Sequence, residues 1–188
     1  MLIEPMEITG LFMITPEPCM DNRGYMARLL DDREIAAAGL NTRWAQESRS
    51  YTRVRNTVRG LFVSLPPATE GKTITAFRGR MFWVSVDVRA GSPTFGKWAS
   101  ATLCGELGNT LYAAPGFAHG CLSLTDDCDL LLRSDNYFSP EHGAGILWSD
   151  PELGIRWPLC GPNPVISERD AAYPTFAEFR RLHGGIRV

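Results

Sequence analysis

The segment from Arg80 to Arg89 reads RMFWVSVDVR, and its alternation between apolar and mixed positions constrains the fold most. Side chains two residues apart share one face of a β-strand. One face would carry Phe82, Val84, Val86 and Val88, and the other would carry Trp83, Ser85 and Asp87. The period of two therefore predicts a strand that lies between two unlike environments.

Several other short segments have compositions compatible with β-strands, and glycines and prolines separate them. They are Thr57–Ser64, Lys72–Phe77, Lys97–Leu103, Leu111–Ala113 and Cys128–Arg133. Many short strands at intervals of roughly ten residues are typical of antiparallel sandwiches and barrels. The sequence thus predicts an all-β fold.

Two short helices are expected at the periphery of this fold. The first, Asp31–Ala38, starts with acidic residues, contains consecutive alanines and would end at Gly39. The second would follow Thr175, because Thr175 and Glu178 have the spacing of a capping box, and would extend to about His183.

Composition indicates one domain over residues 1–188 and narrows the classes of partner. Hydrophobic residues make up 44% of the chain, enough for one core, and no repeat or low-complexity linker marks a domain boundary. A net charge of −2 argues against a nucleic-acid groove or an anionic membrane surface. No apolar run approaches the roughly 18 residues of a membrane span, and the N-terminal segment lacks the basic start of a signal peptide.

The cysteines and histidines argue against a metal site. The five cysteines are odd in number and have no CxxC spacing, which is atypical of a zinc site or a disulfide framework. The three histidines, His119, His142 and His183, are too dispersed to supply clustered ligands. We therefore expect no metal, and a reducing, cytoplasmic location.

Two dense motifs, Arg59-Gly-Leu-Phe62 and Pro115-Gly-Phe-Ala-His-Gly120, belong to an ordered series along the chain. The other members are Asp21-Asn-Arg-Gly24, Gly91-Ser-Pro-Thr-Phe-Gly96, Trp148-Ser-Asp-Pro151, Ile155-Arg-Trp-Pro158 and Ser167-Glu-Arg-Asp170. The series resembles the dTDP-4-dehydrorhamnose 3,5-epimerase family, and the resemblance extends from about residue 12 to about residue 175.

The resemblance implies a cupin-type jelly-roll β-sandwich that forms a homodimer and works without a metal or cofactor. Such isomerases remove a proton beside the 4-keto group of a dTDP-linked deoxysugar and return a proton to the opposite face. The reaction needs a base, a cation or donor at the developing enolate oxygen, and an acid on the other face. The expected ligand is therefore a nucleotide sugar of deoxysugar biosynthesis.

The chain departs from the family pattern at three positions near this chemistry. Phe62 stands where the family has its general-base His, and Leu132 stands where the family has the Tyr that acts as the general acid. Neither side chain can take or give a proton. Glu70 replaces a Gln of the family and changes the charge close to Lys72.

Three other positions retain the family's residues. Lys72 matches the Lys at the reacting carbonyl, and its alternative is a solvated lysine at a strand end. His119 matches the second active-site His, and its alternative is a core histidine in a glycine-rich turn. Asp170 matches the Asp that orients the missing base. Its alternatives are to close a cap-like turn, or to pair with Arg59 or His119.

Residues for nucleotide recognition are only partly retained. Arg59 and Arg23 match residues that contact phosphate or sugar, and a guanidinium suits a diphosphate because it forms two charge-assisted hydrogen bonds at once. The alternative for both is a surface ion pair. Arg28 replaces the Glu that reads the thymine, whereas Phe138 retains an aromatic face where the family stacks the base.

Two functions follow. The first is an atypical nucleotide-sugar epimerase in which His119 acts as a relocated proton shuttle and Lys72 holds the enolate oxygen. The second is a rebuilt or catalytically degenerate member that acts on or binds a more apolar ligand, because Phe62 and Leu132 turn a proton-transfer site into an apolar one.

Overall fold

Two antiparallel sheets form the body of the protein, in a computed structural model that describes residues 1–188. The six-stranded sheet has the order β1 (Leu2–Pro5), β2 (Leu11–Thr15), β10 (Thr110–Ala113), β7 (Lys72–Arg78), β12 (Cys128–Ser134) and β5 (Gln46–Thr52). The five-stranded sheet has the order β13 (Gly143–Gly145), β6 (Val58–Ser64), β11 (Phe117–Ser123), β8 (Arg80–Asp87) and β9 (Trp98–Cys104). The predicted all-β sandwich of the cupin type is confirmed.

A separate two-stranded hairpin, β3 (Cys19–Asp21) and β4 (Gly24–Met26), pairs with neither main sheet. Its strands are exposed along their whole length. An isolated hairpin has little stability of its own in water.

Strand β8 shows why its sequence alternates. Val84 and Val86 belong to a core cluster that also contains Phe176 and Phe179 of the C-terminal helix. Trp83, on the other face, belongs to a second cluster that contains residues of both main sheets. The two unlike environments predicted from the sequence are therefore two cores, one beneath a helix and one between sheets.

The strands predicted from the sequence are observed within one or two residues of their expected bounds. The remaining strands, β1 to β5, β11 and β13, were not predicted. Strand β5 is a largely exposed edge strand with the polar sequence QESRSYT, and its pairing with β12 orders it. Strand β11, FAHGCLS, is buried on both faces, so it shows no alternation. His119 consequently lies within a strand and not in a glycine-rich turn.

Both predicted helices are confirmed, as α1 (Asp32–Ala37) and α3 (Phe176–His183). Thr175 and Glu178 form the expected capping box, and Gly184 ends α3 in the left-handed conformation at φ 66°. A third helix, α2 (Glu168–Ala171), lies between β13 and α3 in the chain. None of the three has the length and apolar character needed to cross a membrane.

Candidate active site

A cavity of about 720 Å³ is lined by residues of both main sheets and of α2. Six of the residues predicted from the sequence line it: Arg59, Phe62, Lys72, His119, Leu132 and Asp170. Strands β6 and β11 supply Phe62 and His119, which lie opposite each other in the ladder. The facing sheet supplies Lys72 and Leu132.

Gly60 allows β6 to approach β11 closely at the cavity. It has φ 91°, and a Cβ at this position would collide with the backbone carbonyl of His119. Only glycine meets both requirements without strain. The Gly60 N–H donates to Asp170 Oδ2 at 2.8 Å, which ties β6 to α2.

Asp170 makes neither of the pairings predicted with Arg59 or His119. Its Oδ1 accepts from Arg169 Nε at 2.9 Å, while Oδ2 accepts from Gly60. The cap-like pattern is confirmed, because the Ser167 side chain accepts from the Asp170 N–H and begins α2. The carboxylate is buried in the wall of the cavity, where it also holds the backbone of β6.

His119 is buried and neutral. Its Nδ1 accepts a hydrogen bond from Trp83 Nε1 at 3.3 Å and lies 3.1 Å from Ser85 Oγ. Its Nε2 is buried without a hydrogen-bond partner. Burial, helped by the nearby charge of Lys72, lowers the pKa of His119 to about 3. A group with this pKa does not carry protons efficiently at neutral pH.

Lys72 is not a free cation. Its Nζ lies 2.8 Å from Oε1 of Glu70, and both side chains are largely buried. Ser64 Oγ donates to the same carboxylate oxygen at 2.8 Å. The Lys72 ammonium also lies 5.9 Å from the ring centre of Phe62. The Glu that the sequence places near Lys72 thus partly cancels its charge.

Phe62 and Leu132 form an apolar part of the cavity. Phe62 is half-buried and its ring centre lies 6.2 Å from that of Phe138. Phe138 itself is 57% exposed and is not part of the cavity lining. Leu132 packs against the core cluster between the sheets.

Two arginines line the cavity, and two predicted ones do not. Arg59 donates to Thr52 Oγ1 and to the carbonyl of Tyr51, and has no carboxylate partner. Arg169 also lines the cavity. It was not singled out from the sequence, although it belongs to the motif Ser167-Glu-Arg-Asp170. Arg23 and Arg28, with side chains 85% and 73% exposed, form ion pairs with nearby aspartates away from the cavity of their own chain.

Trp83 and Cys121 also line the cavity and were not singled out as site residues. Trp83 could have been found from the sequence, because the alternation of β8 places it on the same face as the polar residues Ser85 and Asp87. Burial raises the pKa of Cys121 to about 12, so its thiol is unreactive. No group of three His, Cys, Asp or Glu side chains is arranged to hold a metal ion.

Comparison with known proteins identifies the family. A family model described as dTDP-4-dehydrorhamnose 3,5-epimerase matches residues 5–178. The chain belongs to this family. A relative of that name from Sinorhizobium fredii is 37% identical over 182 residues, which cover 95% of this chain and 91% of the relative.

Two solved structures of epimerases are similar over nearly the whole chain. NovW, a 4-keto-6-deoxy sugar epimerase from the novobiocin gene cluster of Streptomyces spheroides, has a TM-score of 0.91 at 34% identity, covering 99% of this chain and 92% of its own. A double mutant of ChmJ, a 3'-monoepimerase from Streptomyces bikiniensis in complex with dTDP, has a TM-score of 0.89 at 30% identity, covering 98% and 92%.

The ChmJ mutant has one His replaced by Asn and one Tyr replaced by Phe. The interval between its two replaced positions equals the interval between Phe62 and Leu132 in this chain. The ChmJ mutant therefore holds dTDP although this His and this Tyr are replaced.

Proposed function

We propose that this family member binds a dTDP-4-keto-6-deoxy sugar in the cavity and epimerises it slowly at one carbon beside the keto group. The observation that carries the proposal is that Lys72 and His119 line the same cavity and interact electrostatically. An ammonium and an imidazole donor around one carbonyl oxygen stabilise the enolate that forms when the adjacent C–H loses its proton.

The charges at the cavity suit the rest of such a ligand. Arg59 has no carboxylate partner, so its guanidinium is available to a diphosphate. The aromatic ring of Phe138 adjoins the cavity through Phe62 and offers a stacking surface for a base. NovW and ChmJ, which are similar in fold, act on deoxysugars or hold dTDP.

Asp170 is the only carboxylate that lines the cavity, so it is the group left to accept the C–H proton. The electron pair of the broken C–H bond would move into the enolate oxygen, held by Lys72 and His119. Water would return a proton to the other face, because Leu132 cannot. Each optimised proton-transfer group contributes about 10²–10⁴-fold in rate, so turnover would be slow.

Incubation with dTDP-4-keto-6-deoxyglucose in D2O tests this function. Deuterium should enter C3 or C5, and Lys72→Met should abolish the exchange while the protein stays folded. Absence of deuterium at both carbons after prolonged incubation, with the sugar bound, would show that the protein does not catalyse the exchange.

A second function is favoured by the apolar side chains Phe62 and Leu132 together with the partial neutralisation of Lys72 by Glu70. In this case the protein binds a ligand without epimerising it. Thermal-shift measurements would show stabilisation by dTDP or a dTDP sugar with no exchange in D2O. Stabilisation only by apolar ligands would favour a rebuilt pocket.

We also propose a homodimer in which the β3–β4 hairpin packs on a second copy. Met20, Tyr25 and Met26 on this hairpin are 71%, 61% and 81% exposed. Exposed apolar side chains grouped in this way are typical of interaction surfaces. Arg23 and Arg28 would then lie near the partner subunit, which accounts for their distance from the cavity of their own chain.

A further inference from the structure

The two ring nitrogens of His119 have different surroundings, and Trp83 accounts for the difference. Nδ1 lies 3.3 Å from Trp83 Nε1 and 3.1 Å from Ser85 Oγ. Nε2 belongs to a side chain only 7% exposed and has no partner in the protein. One nitrogen is thus committed to the protein, and the other is left for a ligand in the cavity that His119 lines.

The chemistry of the indole fixes the position of the imidazole proton. An indole N–H group donates and never accepts a hydrogen bond, so Nδ1 must offer its lone pair to Trp83. A neutral imidazole then carries its proton on Nε2. The Ser85 hydroxyl is compatible with this state, because it can also donate toward Nδ1.

We propose that Trp83 is a positioning residue that holds His119 as the neutral Nε2–H tautomer, so that His119 presents one fixed hydrogen-bond donor to a ligand oxygen. This inference rests on the proposed function for the identity of that oxygen, the 4-keto oxygen. It changes the role expected for His119 from a proton shuttle to a donor, since a neutral imidazole can polarise a carbonyl without exchanging its proton.

The surroundings of His119 oppose the doubly protonated ring. A proton on Nδ1 would point at the Trp83 N–H, and the positive charge of Lys72 lies nearby. Burial and this charge together keep the pKa of His119 low, at about 3. The donor would therefore be present throughout the physiological pH range.

Nitrogen NMR of the ¹⁵N-histidine-labelled protein tests the tautomer without any ligand. His119 should show a protonated Nε2 and an unprotonated Nδ1, unchanged between about pH 5 and pH 8. Trp83→Phe should produce a mixture of tautomers, because Ser85 can accept from Nδ1–H once the indole is gone. Ser85→Ala, which keeps the indole, should retain the wild-type tautomer. A protonated Nδ1 in the wild type, or an unchanged tautomer in Trp83→Phe, would overturn the proposal.

Binding measurements separate a positioning role from a structural one. Trp83→Phe should bind dTDP-4-keto-6-deoxyglucose about ten-fold more weakly, as expected for the loss of one well-aligned hydrogen bond. It should bind dTDP, which lacks the sugar, as well as the wild type does. Equal losses for both ligands would contradict the positioning role. If the wild type binds neither ligand, the proposed function fails, and the NMR result still decides the tautomer.

Discussion

Glu70 Oε1 lies 2.8 Å from Lys72 Nζ, and this buried pair places a carboxylate directly behind the only lysine of the cavity. The Ser64 hydroxyl donates to the same oxygen and holds the carboxylate in place. The cavity therefore presents a weaker positive field at the expected keto oxygen than an unpaired lysine would give.

Substitution Glu70→Gln should tighten the binding of a dTDP sugar by about ten-fold, because it removes a negative charge beside Lys72. The free energy of unfolding should fall by about 1–3 kcal/mol, because Lys72 loses its charged partner. Calorimetric titration and urea unfolding measure the two effects. Glu47→Gln, which breaks an exposed pair with Arg133, is the matched control and should change neither. Unaltered affinity in Glu70→Gln would show that Glu70 does not tune the site.

Introducing proton-transfer groups through Phe62→His and Leu132→Tyr together should raise deuterium exchange into the keto sugar by about 10²-fold or more. The new imidazole would lie across the strand pair from His119, in the cavity that Asp170 also lines. Mass spectrometry of the sugar after incubation in D2O measures the gain. Phe62→Leu with Leu132→Tyr is the control that lacks the base. Equal exchange in both double variants would mean that the substrate position itself has changed.

Stability should depend on pH through His119. Its pKa is about 3 in the folded protein and 6.5 for an ordinary histidine, so the unfolded chain binds an extra proton between these values. The folded state therefore loses about 1.4 kcal/mol per pH unit as the pH falls through this window. Urea unfolding at several pH values should show a shallower slope for His119→Gln than for the wild type. Identical slopes in the two proteins would contradict the burial of a neutral His119.

Removing the Asp170 carboxylate should destabilise the wall of the cavity. Asp170→Ala leaves the buried Gly60 N–H without its acceptor and should lower the free energy of unfolding by about 2 kcal/mol. Asp170→Asn retains an acceptor and should cost less. Asp129→Asn, in an exposed pair with Arg49, is the control. A cost for Asp170→Ala no larger than for the control would mean that this tie is dispensable.

The β3–β4 hairpin can be tested by the double substitution Met20→Asp and Met26→Asp. Charges at these two exposed apolar positions should dissociate the proposed homodimer, and light scattering after size-exclusion chromatography would then report the mass of a monomer. Leu182→Asp, at a position 58% exposed on α3, should leave the mass unchanged. A wild-type protein that is already monomeric would contradict the proposed assembly.

Sequence patterns predicted the fold where local signals were strong. The alternation of β8 and the caps of α1 and α3 arise within a few residues, so the chain itself displays them. Strand β11 carried no such signal, because a strand buried on both faces has no alternation. Strand β5 is polar and depends on pairing with β12, a partner distant in the sequence.

The sequence predicted which residues line the cavity better than it predicted which groups those residues contact. Motif positions indicated Lys72, His119 and Asp170, and all three line the cavity. The partners of these residues were not predictable, because Asp170 binds a backbone N–H and His119 binds an indole across a strand pair. Contacts of this kind depend on how strands are placed side by side, which spacing along the chain does not encode.

Phe62 packs in none of the core clusters, and its half-buried ring forms part of the wall of a cavity and not part of a core. We therefore expect the sandwich to tolerate other side chains at this position, and the proposed reaction to respond strongly to them. The side chain at position 62 can thus change while the fold stays the same. We therefore expect members of the family with the same fold to differ in reaction rate through the residue at this position.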